Sequence, residues 1–568
     1  MKKILAVILA LTMMLALIAG CGAKEEPAEA PVVESEEVEA SVQETKPEAP
    51  VEEAPEAEPA PEEVEEVKVI SYPLDTDVTL GMVCNLESHM QRAIENFDQV
   101  LAMQVYMEKT GVDIEFQMLG DTVFTEQLNL LITSGDIPDM IQGSMAGYAS
   151  KLETAIEDEV LIDITPYLPD YAPDYWALLD SDETFYEAVM NSNYTTSVFN
   201  GYGLPILDTG LIVRGDWMDA LGLEDPKTLS ELTDILYAMH DAYGTTTTLL
   251  TNSALSTGLE AIFNTTANGF DALGFQLTMP GSTTVVAGLA SEGYRDYLKY
   301  IHDLYADGLI NDDFLNISKQ LNTYNSCYWN GDCGVWSEGN RCVDPAEFTN
   351  SSDPNYLPRA IVRPTLDDGT GTHVVGPGST RGRGSIYITA TCENPDIACS
   401  FLNYAYTQEG LELCTYGIEG ETFARIDEEH VEYTDLIINN PDGLTSAAAE
   451  CLYLVSNWFP SVQNKAMFNL KNSVTEVREA AELWTENCGD DSMTLHDAFS
   501  LTQEESDRVN ALAADVLTLY NEKAILYVMG EISIEDYAAA EEEAMRMGLA
   551  ECTEIYQNAY DKFLAERG

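Results

Sequence analysis

The stretch VDIEFQMLGDTVFTEQLNLLITSGDIPDMIQG, Val112 to Gly143, decides the fold class. Its opening, VDIEFQML, alternates apolar and polar side chains with period two, which predicts a strand. FTEQLNLLITSGD changes to helical spacing and stops at Gly135. IPDMIQG then reads as a short strand. Upstream, Val67–Val83 reads as an opening strand region. Asn96–Thr110 reads as a helix, with Phe97, Val100, Leu101, Val105 and Tyr106 at helical spacing and Gly111 as its stop. The order strand, helix, strand, helix, strand predicts an α/β lobe with a largely parallel sheet.

Downstream the pattern starts again. GYGLPILDTGLIVRGDWMDALGL (Gly201–Leu223) leads through a Gly-Pro segment into an apolar strand and a helix beginning near Asp216. DPKTLSELTDILYAMHDAYG predicts a further helix, with Thr228 or Ser230 as its cap and Glu231 in the first turn. GYRDYLKYIHDLYADGLI predicts an amphipathic helix closed by Gly308, and Cys392–Gly417 two helical segments. The last 60 or so residues read as mostly helical, with breaks at Gly530 and Gly548. No solenoid period is present.

The N-terminus differs from this body. Lys2 and Lys3 precede an apolar run from Ile4 to Ile18, then Ala19-Gly20-Cys21. The run is about 15 residues, near the lower limit for spanning a bilayer, and its position suits the h-region of a secretory signal peptide. Small residues before Cys21 resemble a lipoprotein signal, which implies cleavage after residue 20 and diacylation of the Cys21 thiol. Two acyl chains anchor stably where one does not. Residues 24–67 hold 17 Glu and two Lys, padded with Pro and Ala. Such a segment is too apolar-poor to fold and repels itself, so residues 21–67 are expected to be a lipidated tether with a reach of about 40 Å.

The net charge is −71; the segment 24–67 holds −15 and the leader +2, which leaves −58 on the body. A body this acidic excludes nucleic-acid binding by phosphate neutralisation. Its roughly 500 residues exceed one core and predict two lobes. Eleven cysteines occur, Cys327, Cys333 and Cys342 in one cluster and Cys392 and Cys399 in another, with no C-x-x-C. Zinc spacing is absent; disulfides and buried thiols both remain open.

Four segments carry a family resemblance. SGDIPDMI (Ser134–Ile141), LIVRGDWMDALGLEDPKTLSEL (Leu211–Leu232), ENPDIACSFLNYAYTQEGLELCTYGIEGE (Glu393–Glu421) and MGEISIEDYAAAEEEAMRMGLAECTEIYQNAYDKF (Met529–Phe563) resemble, in order, motifs of the extracellular solute-binding proteins, family 1, of carbohydrate ABC transporters, the LplA/YtcQ-like lipoproteins of Gram-positive bacteria. The resemblance implies an α/β, two-lobed, periplasmic-binding-protein-like fold with a hinge, an interlobe cleft and a helical C-terminal region. It assigns residues 1–20 to the signal peptide, 68–203 and 379–435 to the first lobe, and 204–378 and 436–568 to the second. Hinge crossings are expected at Gly201–Asp208, at Gly376–Ser385, and between Asp427 and Ser446. It implies a monomer, anchored on the extracellular face, that passes a carbohydrate, an oligosaccharide for choice, to ABC permease subunits. Some relatives carry a D-x-N-x-D-G calcium loop; DSDETFYE (Asp180–Glu187) lacks its glycine, so no metal and no cofactor is expected.

Sugar sites pair aromatic faces with carboxylates, amides and Arg. WNGDCGVWSEGNR places Trp329 and Trp336 beside Glu338 and Arg341, and the family position of its Gly-x-Trp makes Trp336 the first candidate stacking platform. Trp458 in SNWFPS is the second candidate, while Trp217 reads as structural. In open α/β sheets ligands sit at the carboxyl ends of strands, which selects Asn85, Glu87 and His89 after the opening strand and Ser144 and Tyr148 after IPDMIQG. Asp139 reads as a turn residue. GPGSTRGRGS (Gly376–Ser385) brings Arg381 and Arg383 and lacks the ending of a phosphate loop. An enzyme on a tether would need two carboxylates at a set separation, and 98 acidic residues make any pair uninformative; no G-x-S-x-G or H-E-x-x-H occurs. A sensor, an adhesin or a peptide-binding protein on the same fold remain as rivals.

Overall fold

The computed structural model describes residues 69–145, 152–191, 194–267, 273–318, 323–376, 380, 382, 384–427, 429–456, 458–496, 499 and 501–567. Cys21, the tether, Tyr148, Arg381 and Arg383 lie outside them.

The first sheet grows around β1 (Thr79–Leu86), which pairs in parallel with β2 (Asp113–Gly120) and β3 (Met140–Gln142). β4 (Val198–Phe199) and β11 (Ile386–Ile388) complete the order β2-β1-β3-β11-β4, with β11 antiparallel to both neighbours. Met82, Val83 and Cys84 are fully buried, as expected of a parallel strand covered on both faces. The covering side chains include Met103 and Tyr106 from the helix Leu101–Thr110 and Phe401 from the helix Pro395–Asn403.

Two expectations shift here. The predicted helix over Asn96–Thr110 is broken. Asn96 caps a single 3-10 turn, Phe97–Gln99, by accepting from Asp98 N at 3.0 Å. Val100 is then extended (φ −78°, ψ 120°) before the helix proper starts at Leu101. The opening strand begins at Thr79, because Tyr72 and Leu74 are spent elsewhere. Tyr72 OH donates to Ser400 O at 2.6 Å, and Leu74 N to Thr110 O at 2.8 Å.

The second sheet has the order β10-β5-β9-β6. β5 (Thr209–Arg214) is antiparallel to β10 (Pro358–Ile361) and to β9 (Cys333–Gly339), and β6 (Thr247–Leu249) is parallel to β9. Both faces are apolar. Val213 and Val335 face a core built with the helices Leu229–Tyr243, Glu292–Ala306 and Gln503–Val528, while Ile212 and Trp336 face a second core closed by Val477, Ala480 and Trp484 of the helix Thr475–Glu486. Thr228 and Ser291 cap two of these helices through Glu231 N and Tyr294 N. Two hairpins, β7 (Phe275–Leu277) with β8 (Val285–Ala287) and β12 (Phe423–Arg425) with β13 (Val431–Tyr433), complete the strands among the described residues. From Glu66 to Gly568 the chain is one compact unit.

Three extended segments lie side by side between the sheets. Gly203 N donates to Thr380 O and Gly382 N to Gly201 O, both at 2.6 Å, while Tyr202 N donates to Ser461 O at 2.9 Å and Gln463 N to Tyr202 O at 2.8 Å. A Cβ on Gly382 would meet Gly201 C at 2.8 Å, so glycine is required for this approach. The third segment is therefore Ser461–Gln463, not the expected Asp427–Ser446. The reason is packing: Cys451, Val455, Trp458 and Phe459 still belong to the first core, and the chain reaches the second lobe through Lys471 and Asn472 and joins its core from Val474.

Candidate functional site

β1, β2 and β3 end at one edge of the first sheet, and the polar groups there form a connected net. Asn85 N donates to Gln142 Oε1 at 3.0 Å, and Asn85 Nδ2 to Asp121 Oδ1 at 3.3 Å. Ser88 Oγ donates to Asp121 Oδ2 at 2.9 Å. The Ser88 and Asn85 hydrogen bonds hold the Asp121 carboxyl below its ordinary range. Glu87 is half-buried and 3.4 Å from His89 Nδ1; burial raises the Cys451 thiol, and Glu450 and then Glu87 add to that. Ser144 is exposed beyond β3. Asp139 accepts from Gly81 N at 2.7 Å, at the opposite end of β1, which makes it a brace for the strand start.

The facing edge of the second sheet is set by register. Thr209 pairs with Gly339, so Asp208, Glu338, Asn340 and Arg341 emerge together. Asn340 N donates to Asp208 O at 2.7 Å, and Glu338 Oε1 accepts from Gly339 N at 3.2 Å. Arg341 is 66 % exposed; its nearest partners are Lys471 O at 3.3 Å and Asp344 at 3.9 Å, so the guanidinium is open to a ligand.

At the second of these edges, beside the three crossing segments, lies a cavity of about 460 Å³, and Asn85, Glu87, Ser144 and Glu338 are not among its lining residues. Asp208, Arg341, Ser456, Gln463, Phe468 and Lys471 are among its lining residues. Ser456 Oγ is buried without a partner among the described residues. Lys471 Nζ lies 2.6 Å from Glu450. Burial alone would lower its ammonium, but Tyr433 and Glu450 outweigh that and raise it. The lining therefore offers two cations, amides and a carboxylate beside an aromatic ring, a set that fits a polar, uncharged or anionic solute. Among the described residues no group of three or more His, Cys, Asp or Glu could hold a metal, and the ten cysteines there are free thiols.

The two tryptophans expected to present stacking faces are covered, which corrects their assignment as platforms. Trp336 is fully buried, parallel to Tyr328 at 5.6 Å, on the sheet face that the helix Thr475–Glu486 closes. Trp458 is 2 % exposed and stacked on Phe97 at 3.5 Å. Each indole N–H lacks a partner among the described residues. Trp329 packs beside Tyr328 and Tyr356. Asp208, Asn340, Ser456, Gln463, Phe468 and Lys471 were not singled out from the sequence. For Lys471 a signal existed: with 27 Lys and Arg against 98 acidic residues, a cation in the body is rare enough to weigh.

Comparison with known proteins follows the same lines. Residues 87–412 match the family described as bacterial extracellular solute-binding protein. The polygalacturonan/rhamnogalacturonan-binding protein YtcQ of Bacillus subtilis is 22% identical over 477 residues, 79% of this chain and 86% of that protein. The fructooligosaccharide ABC transporter substrate-binding protein FusA of Streptococcus pneumoniae is 22% identical over 533 residues, 88% of this chain and 93% of that one. Lipoprotein LipO of Bacillus subtilis is 25% identical over 235 residues, 38% of this chain and 42% of its own length. Among solved structures, a solute-binding protein of Bifidobacterium longum infantis, described as binding HMO, superposes with a TM-score of 0.67 at 15% identity, covering 85% of this chain and 98% of that one. The two-lobed solute-binding fold is thereby shared.

Proposed function

Since the chain belongs to the bacterial extracellular solute-binding protein family, and is thus a binding protein and not an enzyme, we propose that it captures an oligosaccharide between its lobes and delivers it to an ABC permease. The observation that carries this reading is the cavity of about 460 Å³ beside the crossing segments, which Arg341 and Lys471 line together with amides and an aromatic ring. The carbohydrate ligands in the names of YtcQ and FusA support the class. In this reading Asn85, Glu87, Ser144 and Tyr148 serve from the first lobe and Glu338 and Arg341 from the second. Cys21 carries the lipid, and residues 24–67 hold the body off the extracellular face of the membrane. No helix among the described residues is long and apolar enough to cross a membrane.

Protein lacking residues 1–67 is mixed with neutral and acidic oligosaccharides and, separately, with peptides, and its melting is followed. A true ligand at roughly 100-fold above its Kd stabilises by about 2.7 kcal/mol through mass action. Stabilisation by peptides and by no glycan would sink the carbohydrate reading. For the anchor, metabolic labelling with palmitate is expected to mark the wild type and not Cys21→Ala; equal labelling removes Cys21 from that role.

A further inference from the structure

A second cavity lies outside the cleft. It measures about 870 Å³ and lies at the opposite edge of the second sheet, where β5 ends and β6, β9 and β10 begin. Arg214, the last residue of β5, organises this edge. It is wholly buried, and its guanidinium donates to Asp216 at 2.8 and 2.6 Å, to Asp353 at 2.6 Å and to Gly331 O at 2.6 Å. It also lies 4.4 Å from the centre of the Trp217 ring. Trp217 in turn stacks on Tyr243 at 4.2 Å and 13°. The result is a three-layer stack, Arg214, Trp217 and Tyr243, whose outermost ring is 41% exposed and lines the cavity.

The rest of the wall is polar. Asp332, Asn311 and Asn355 line the same cavity as Tyr243, and no lining residue is a lysine or an arginine. Arg214 stands behind the wall and is matched by two carboxylates, so the cavity is net negative. That lining disfavours uronates, phosphates and sulfates. A flat, partly exposed ring that is stacked on Trp217 and shares a cavity lining with carboxylates and amides suits the C–H face and hydroxyls of an uncharged sugar.

We propose that this distal cavity is a second carbohydrate-binding site, which holds a neutral hexose unit of a glycan on Tyr243 independently of lobe closure. Because the stack is clamped from behind, the platform is ordered before a ligand arrives, and the ordering cost of binding is reduced.

The test uses the compact part of the chain, without residues 1–67, and affinity electrophoresis through gels holding neutral glucan, mannan or xylan, with polygalacturonate as the charged comparison. Retardation by at least one neutral polymer is expected. Tyr243→Ala should reduce it about fivefold or more while Tyr243→Phe retains it. Arg341→Ala with Lys471→Met, which alters the cleft, should leave in place the part of the retardation that Tyr243→Ala removes. Because Tyr243 is partly exposed, the melting temperature of Tyr243→Ala should stay near that of the wild type. Retardation by no neutral polymer, retardation indifferent to Tyr243→Ala, or a preference for polygalacturonate would each overturn the proposal. Retardation lost only in the Arg341/Lys471 variant would assign the glycan to the cleft and overturn the distal site alone.

Discussion

The two edges of the second sheet have opposite characters. At the edge facing the first lobe the contacts are backbone hydrogen bonds between three extended segments, and Arg341 is largely exposed with weak partners. At the far edge a buried arginine makes four short hydrogen bonds into three separate segments. Backbone pairing between lone strands can open and re-form with little side-chain loss, which suits a hinge in a two-lobed binding protein. A buried, bidentate charge network has one good arrangement and resists displacement. With the hinge proposed at the crossing segments, the same four strands carry a movable margin and a fixed one.

The strongest way to disturb both margins is to remove what lies between them. Trp336 is fully buried beside Tyr328 and pairs across the sheet with Ile212. Trp336→Ala is expected to cost about 3–5 kcal/mol, as for other large aromatic truncations in cores. Denaturant unfolding checks this; a loss below about 1 kcal/mol would mean that the ring is not packed as described.

Next in size is the fixed margin alone. Arg214→Met strands Asp216 and Asp353, whose side chains are 15% and 31% exposed. Breaking buried pairs typically costs 3–5 kcal/mol, and partial access to water places this one near about 3. Hydrogen exchange should quicken at Gly331 and Asp353 and not at Gly203 or Gly382. The pH dependence gives an independent sign. The Asn355 backbone N–H and Arg214 hold the Asp353 carboxyl below its ordinary 3.8. A depressed folded value means stabilisation that is present above the ordinary value and lost as pH falls through the folded one. The wild type should therefore lose this contribution on acidification below about pH 4, and Arg214→Met should have less of it to lose; parallel acid titrations would contradict that.

How much of this was legible follows from the range of each signal. The strand–helix order around Val112–Gly143 and the cap at Thr228 rest on neighbours within a few residues, and both are present in the fold. The two tryptophans were misread for different reasons. Trp336 sits in Cys333-Gly334-Val335-Trp336, a run without alternation, and such a run marks a strand covered on both faces. That pattern was in the sequence and argued for burial. Trp458 is covered by Phe97, a contact between distant parts of the chain that no periodicity encodes. The Arg214 clamp is hidden in the same way: Asp216 is two residues off, but Asp353 is 139 away. Lys471 meets Arg341 only because the chain stays with the first lobe past Phe459.

The movable margin should be stiffened by filling its closest approach. Gly382→Ala places a methyl 2.8 Å from Gly201 C, in backbone that cannot yield without separating two crossing segments. Overpacking of this kind costs about 1–3 kcal/mol. Small-angle scattering with and without saturating ligand should show a smaller change for Gly382→Ala than for the wild type. An equal change would mean that these segments do not carry the motion.

The smallest structural effect, and the sharpest functional one, belongs to Arg341. Its exposure and long contacts mean that Arg341→Ala should leave stability within about 0.5 kcal/mol of the wild type, as for surface changes away from built features. If the ligand occupies the cavity, the lost charge-assisted hydrogen bonds should weaken binding by about tenfold or more. Arg214→Met should do the reverse, with a large change in stability and little in cleft affinity, because its network lies at the other end of β5. Calorimetric titration of both variants with whichever oligosaccharide stabilises the wild type reads this exchange directly. If Arg341→Ala binds as the wild type does, the cavity beside the crossing segments is not where the solute sits, and the division of the sheet into a movable and a fixed margin loses its functional meaning.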